Sequence, residues 1–298
     1  MPFLDRLEGQ SGAACDGNED ELAKDRFIQS NQCLKSTVLW RFFALTFALA
    51  IPFWLLGARL PLQLLPGLPI AAFQFVCPGL AALLLVGHQG GRTGVYAFVA
   101  RALDFQRGKS AATFLLVFLI MPALAVTSFC YMRLIGTAVP FEVDLAAAPV
   151  LLLLFAISAV AEELGWSGCA TEPLVARFGP LRAGLFLGVV WAAFHVVPLL
   201  QVHRSPVWIA WWALGTVAAR VIIVSLYLRT GRTILAAAIF HMMANVVWQM
   251  FPVHGSFYDP RVMGLLTAAA AVAETFLHER RDQRPVCTVS TNDEIDHS

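Results

Sequence analysis

AAPVLLLLFAISAVAEELGWSG, residues 147–168, decides how this chain has to be read. From Ala147 to Ala161 only Ser158 carries a polar side chain, and the two residues that follow are Glu162 and Glu163. A helix rising 1.5 Å per residue needs about 20 such residues to cross roughly 30 Å of hydrocarbon. An ionised carboxylate near the bilayer centre costs about 2.5–3.5 kcal/mol on insertion scales, so acids in such a run mark a functional site by default. Two other apolar runs carry groups of the same kind: His195 lies in one, and His241 with Asn245 in another. Carboxylates and imidazoles together are what a protein needs to activate water. The chain therefore reads as a membrane-embedded hydrolase.

Composition agrees. Of 298 residues, 58% are hydrophobic and 14% charged, against about 25% charged in ordinary soluble domains. No basic stripe interleaved with aromatics is present, which argues against a nucleic-acid partner. The six cysteines are scattered without a C-x-x-C pair, so neither a disulfide framework nor a zinc knuckle is expected. Apolar runs predict eight spans, at 37–57, 68–88, 111–133, 147–168, 181–200, 207–228, 233–251 and 262–278. The expected fold is thus all-α, a polytopic transmembrane helical bundle over residues 37–278. The polar tails, 1–36 and 279–298, bury too little apolar surface to fold and are expected to be disordered. The first span begins too far into the chain for a cleavable signal peptide. Gly184 and Gly188 form a small-xxx-small pair suited to close helix contact. Glu274, near the end of the last span, is expected to reach toward the headgroups.

Lys and Arg outside the spans set the orientation. The N-terminal tail, the even-numbered loops and the C-terminal tail hold 15 of them, whereas Arg59, Arg133, Arg204 and Arg261 are the four at the odd-numbered loops. This asymmetry predicts an integral protein with both termini cytoplasmic, in a bacterial plasma membrane, with lipid and a peptide or membrane-protein substrate as its partners.

Glu162 and Glu163 point about 100° apart on a helix and can serve different partners, one a water and the other a structural group. His195 lies four residues after Trp191, and Asn245 four after His241, so each pair shares a helix face. Histidine can orient a water or bind a metal, and an Asn amide can donate to a developing oxyanion.

With these residues in place, the sequence resembles the CAAX prenyl protease and bacteriocin-processing family of intramembrane endopeptidases, relatives of the type II CAAX prenyl endopeptidase. That family carries E-E-x-x-x-R, F-x-x-x-H (often with Trp first) and H-x-x-x-N on successive helices. Glu162-Glu163, Trp191 to His195 and His241 to Asn245 match in order, with 31 residues between Glu163 and His195 and 45 between His195 and His241. The likeness covers about residues 147–250. It implies Glu162 as the base that deprotonates a water, His195 helping to hold that water, and His241 with Asn245 as oxyanion donors. Glu163 joins the catalytic group, and Trp191 supports it as a wall of the site. A metal-dependent variant, with zinc on Glu162, His195 and His241, stays open beside a metal-free one.

Where the family has Arg, this chain has Ser167. Arg220, with apolar stretches on both sides, is the strongly basic residue deep in a later span and is expected to supply the charge missing at 167, since unpaired charges at such depth are costly. The Ser167 departure also motivates a second reading, a weak or inactive family member acting as a membrane scaffold or immunity protein. A proton-coupled transporter is a third, because Glu and His in spans also build proton relays.

Overall fold

The computed structural model describes residues 36–102, 111–140, 144–250 and 259–282. Of the expected tails 1–36 and 279–298, residues 1–35 and 283–298 lie outside the described residues, and Ser36 and Glu279 to Asp282 fall in helices. Long helices dominate: α1 (Ser36–Arg59), α2 (Val76–Ala102), α3 (Ala111–Leu134), α4 (Ala148–Gly165), α6 (Pro180–Gln201), α7 (Pro206–Arg229), α8 (Ile234–Met250) and α9 (Pro260–Asp282). The expected all-α helical bundle is the observed architecture, with eight long helices among the described residues. Among the described residues, six helical stretches are long and apolar enough to cross a membrane. Helix α8 is a shorter apolar helix of 17 residues. Leu115, Leu116, Leu153 and Leu154 stand on the outside of the bundle, where only lipid makes such exposure favourable. The chain is an integral membrane protein.

The fourth helix departs from its expected end at residue 168. It runs on through a π-helical segment, Trp166–Thr171, into α5, Glu172–Phe178, so Glu162 and Glu163 sit in mid-helix rather than closing a span. All six residues of the π segment are buried. π-Turns are rare and concentrate at functional sites. Helix α2 is interrupted at Gly91, whose φ of 59° is not helical, so its first part ends within a few residues of the expected span end at 88 and a second helical piece runs on to Ala102. Before α2, a short antiparallel hairpin of β1 (Gln63–Leu65) and β2 (Leu68–Pro69) leads into a 3₁₀ turn, Ile70–Phe75.

Packing places α7 between α6 and α9, and α4 against α2 and α8. The α6–α7 contact depends on the glycine pair: a Cβ at Gly184 would lie 2.9 Å from the Val221 Cα, and one at Gly188 2.8 Å from the Val217 Cα. Those backbones touch because nothing stands between them. Glu274 does not reach for the headgroups. It accepts from Ser225 Oγ at 3.0 Å and pairs with Arg229, tying α9 to α7. Cys77 and Cys130 are free thiols, whereas Cys169 is disulfide-bonded, a bond that the scattered spacing does not reveal.

Candidate active site

Helices α4, α6, α7 and α8 bring Glu162, Glu163, Trp191, His195, Arg220 and His241 to one place at the middle of the bundle. Glu163 is wholly buried and fully partnered. Arg220 donates to it through both terminal nitrogens, at 2.8 and 2.9 Å. Ser167 Oγ donates at 2.5 Å from one helical turn further on. His241 Nδ1 lies 2.9 Å from Oε1, the oxygen that also accepts from Arg220 Nη2, and because a carboxylate only accepts, that nitrogen carries the hydrogen. The bidentate fork is the geometry that makes Arg–carboxylate pairs strong. The Arg220 guanidinium also lies 4.0 Å from the Trp191 ring centroid, within cation–π range. Both partners of the ion pair have no exposed side-chain surface.

Glu162, its neighbour, is held differently. One oxygen, Oε2, accepts from two indoles, Trp191 Nε1 at 3.0 Å and Trp166 Nε1 at 3.2 Å. The other, Oε1, faces His241 Nε2 at 4.0 Å. The π segment and the i,i+4 rule together explain the order: Trp166 falls one turn after Glu162 and Ser167 one turn after Glu163. His195 places Nδ1 2.9 Å from the Trp191 carbonyl. The carbonyl accepts, so in the neutral ring Nε2 keeps its lone pair. Trp191 stacks edge-on against both histidines, with centroids 4.9 Å from His241 and 5.7 Å from His195.

Glu162, Trp191, His195 and His241 line a cavity of about 440 Å³, which also meets Asn245 on α8. Most of the remaining lining is apolar, from Leu154, Phe155, Leu199, Trp212 and Val247 among others. Few polar groups converging in an apolar pocket is the usual form of a small-molecule or peptide site.

Each site residue expected from the sequence is found here. Trp191 is more than a wall, since its N–H holds Glu162. Two participants were not foreseen. Trp166 carries a signal in hindsight, standing four residues after Glu162. Gln74 is buried on the cavity wall, donates to the Phe194 carbonyl at 3.1 Å and accepts from the Trp54 indole; its signal was an amide inside an apolar run. The groups expected for zinc, Glu162, His195 and His241, are not gathered around one point: among the described residues no three His, Cys, Asp or Glu side chains are placed to hold one metal ion. The Nδ1 contacts of both histidines leave each Nε2 free, an arrangement that metal-bound histidines share.

Comparison with known proteins gives a consistent result. The family model described as type II CAAX prenyl endopeptidase Rce1-like matches residues 144–247, the stretch from the start of α4 to near the end of α8. A CAAX prenyl protease 2 from Methanococcus maripaludis is 26% identical over 231 residues, covering 69% of this chain and 82% of that protein. The family-model match spans all three motifs and the helices that carry the central residues, and over that stretch the chain is similar to the type II CAAX prenyl endopeptidase-like family of membrane proteases.

Proposed function

We propose that the chain is an intramembrane endopeptidase that cleaves peptide bonds of membrane-associated substrates with a water activated by Glu162. The observation that carries this reading is the unequal treatment of two adjacent acids. Glu163 has every oxygen occupied by protein donors, whereas Glu162 has one oxygen fixed by two indoles and the other turned toward the cavity. A fixed carboxylate with one free oxygen is placed to take a proton from water. The His195 Nε2 lone pair accepts the water's second hydrogen and orients it.

The hydroxide then adds to the scissile carbonyl, and the carbonyl oxygen becomes an oxyanion. The Asn245 amide is a donor for it, and so is His241 once Nε2 bears a proton. Each oxyanion donor in related chemistry is worth about 10²–10³-fold in rate. When the tetrahedral intermediate collapses, the proton held by Glu162 passes to the departing amine, which leaves the carboxylate ready for the next water. Glu163, Arg220 and Ser167 fix the tautomer and position of His241 without touching substrate. With Arg220 in this role, the serine at 167 no longer favours an inactive scaffold.

The test is cleavage of a pool of quenched-fluorescent apolar peptides by detergent-purified protein. Wild type should cleave and Glu162→Gln should not. Equal rates would remove Glu162 from the mechanism.

A further inference from the structure

Pro198 sits inside α6, Pro180–Gln201. In a helix each N–H donates to the carbonyl four residues back, and proline has no N–H to give. The Phe194 carbonyl therefore loses its partner within the helix, one residue before His195. Phe194 is wholly buried, so bulk water does not reach that carbonyl, and an unpaired buried carbonyl is costly. The structure supplies the donor from outside the helix. Gln74 Nε2, on the 3₁₀ turn before α2, donates to the Phe194 carbonyl at 3.1 Å.

The Gln74 amide can satisfy its surroundings in one orientation. Its Oε1 accepts from Trp54 Nε1 on α1; an indole only donates and a backbone carbonyl only accepts, so the NH₂ group must face Phe194. The Trp54 carbonyl in turn accepts from Gln201 Nε2, at the last residue of α6, at 2.8 Å. Trp54 thus braces α6 on both sides of Pro198, once through Gln74 and once through Gln201. Gln74 is 2% exposed, and its neighbours Ala72, Phe73 and Phe75 line the same cavity as Pro198 and His195. It lies outside the stretch 144–247 that the family model matches.

We infer that Gln74 is a positioning residue for His195: it closes the break that Pro198 opens in α6 and so fixes the turn that aims the His195 ring at the cavity. The effect on rate rests on the proteolytic reading, in which His195 orients the water; the replacement of one hydrogen bond by another does not. His195 is itself tied to its own helix, with Nδ1 2.9 Å from the Trp191 carbonyl one turn back, so ring and turn move together. A displacement of about 1 Å in a reacting group can cost about 10²-fold in rate. Both ends of the Gln74 amide are taken by protein groups, so its loss should fall on kcat rather than on KM.

The experiment is a double-mutant cycle on the detergent-purified full chain, with a quenched-fluorescent peptide that wild type cleaves. Gln74→Met keeps the length of the side chain and removes the donor, and Pro198→Ala restores the N–H that the Phe194 carbonyl lacks. Gln74→Met should lower kcat about 30- to 100-fold with KM within about twofold. Made in the Pro198→Ala background, the same substitution should cost less than about threefold, because the two changes meet at one carbonyl. An equal loss in both backgrounds, or no loss in the first, overturns the inference. Hydrogen exchange read by mass spectrometry follows the backbone without any substrate. Gln74→Met should speed exchange over residues 195–201 about tenfold or more, and the double variant should exchange there at the rate of Pro198→Ala alone. Unchanged exchange in Gln74→Met, or equal acceleration in both backgrounds, overturns the inference. If Gln74→Met does not fold, the double variant must, and failure of both overturns it too. If wild type cleaves no peptide at all, the proteolytic reading falls, and the exchange cycle still decides whether Gln74 holds the turn.

Discussion

Glu162 and Glu163 are adjacent in sequence and equally deep in the bundle, yet the regions around them are built to different ends. Around Glu163 the protein has gathered a guanidinium, a hydroxyl and an imidazole on two oxygens. Around Glu162 it has placed two neutral indole donors on one oxygen and left the other to the cavity. A charge that is fully paired holds helices in register. A charge that is held but not saturated can exchange a proton. The 100° between neighbouring helical side chains is enough to send the two acids into these separate surroundings.

The largest effects should fall on the cavity side of this contrast. Glu162→Ala, His195→Ala and His241→Ala should each abolish measurable cleavage, a loss of at least the 10²–10⁴-fold or so assigned to general acid–base groups. Glu162→Ala and His195→Ala should keep membrane insertion, because each makes its helix more apolar. An active His195→Ala variant would show that Glu162 orients water alone.

The Glu163 side should respond through stability first. Arg220→Leu leaves a buried carboxylate without its cation, a change that costs about 3–5 kcal/mol in other proteins. Thermal unfolding in detergent should fall accordingly, and Ser167→Arg should restore part of it by returning a cation one turn from Glu163. If Arg220→Leu is silent, the buried pair holds nothing together.

Asn245→Ala should be milder, about 10²-fold in rate with little change in melting temperature, as for loss of one oxyanion donor. A purely structural Asn245 would instead shift the melting temperature and spare the rate. Smallest are Trp166→Phe and Trp191→Phe, each removing one N–H from Glu162. A hydrogen bond to a charged group is worth about 1.5–3 kcal/mol, so each should slow cleavage about tenfold or more. An unchanged rate in both would mean that the indoles do not set the position of Glu162.

Much of this architecture is legible in the sequence because lipid imposes a long, simple signal. The expected spans 111–133, 181–200 and 207–228 end within a residue or two of the helices Ala111–Leu134, Pro180–Gln201 and Pro206–Arg229. Arg220 could be matched to Glu163 from cost alone, since neither charge is tolerable unpaired at that depth. What hydropathy cannot carry is local geometry. The continuation of α4 into a π segment follows from the fit of Trp166, Ser167 and Cys169 into the core, not from any change in apolarity. The helical piece that follows the break at Gly91 is hidden by a polar, glycine-rich stretch that reads as a loop. Glu274 was misplaced because its partners, Ser225 and Arg229, lie 49 and 45 residues away in sequence. The roles of Trp166 and Trp191 were hidden for a related reason, as an indole in an apolar run reads as packing until its N–H is seen to meet a carboxylate.

The most direct measurement is a side-by-side comparison of Glu162→Gln and Glu163→Gln, with cleavage rate and thermal unfolding read on the same purified preparations. Each substitution removes one charge and almost no volume. Glu162→Gln should lose cleavage and keep the wild-type melting temperature, and Glu163→Gln should lower the melting temperature by leaving Arg220 buried without a counter-charge. Cleavage at the wild-type rate by Glu162→Gln, or a stability loss in that variant equal to that of Glu163→Gln, would contradict the division of labour between the two acids.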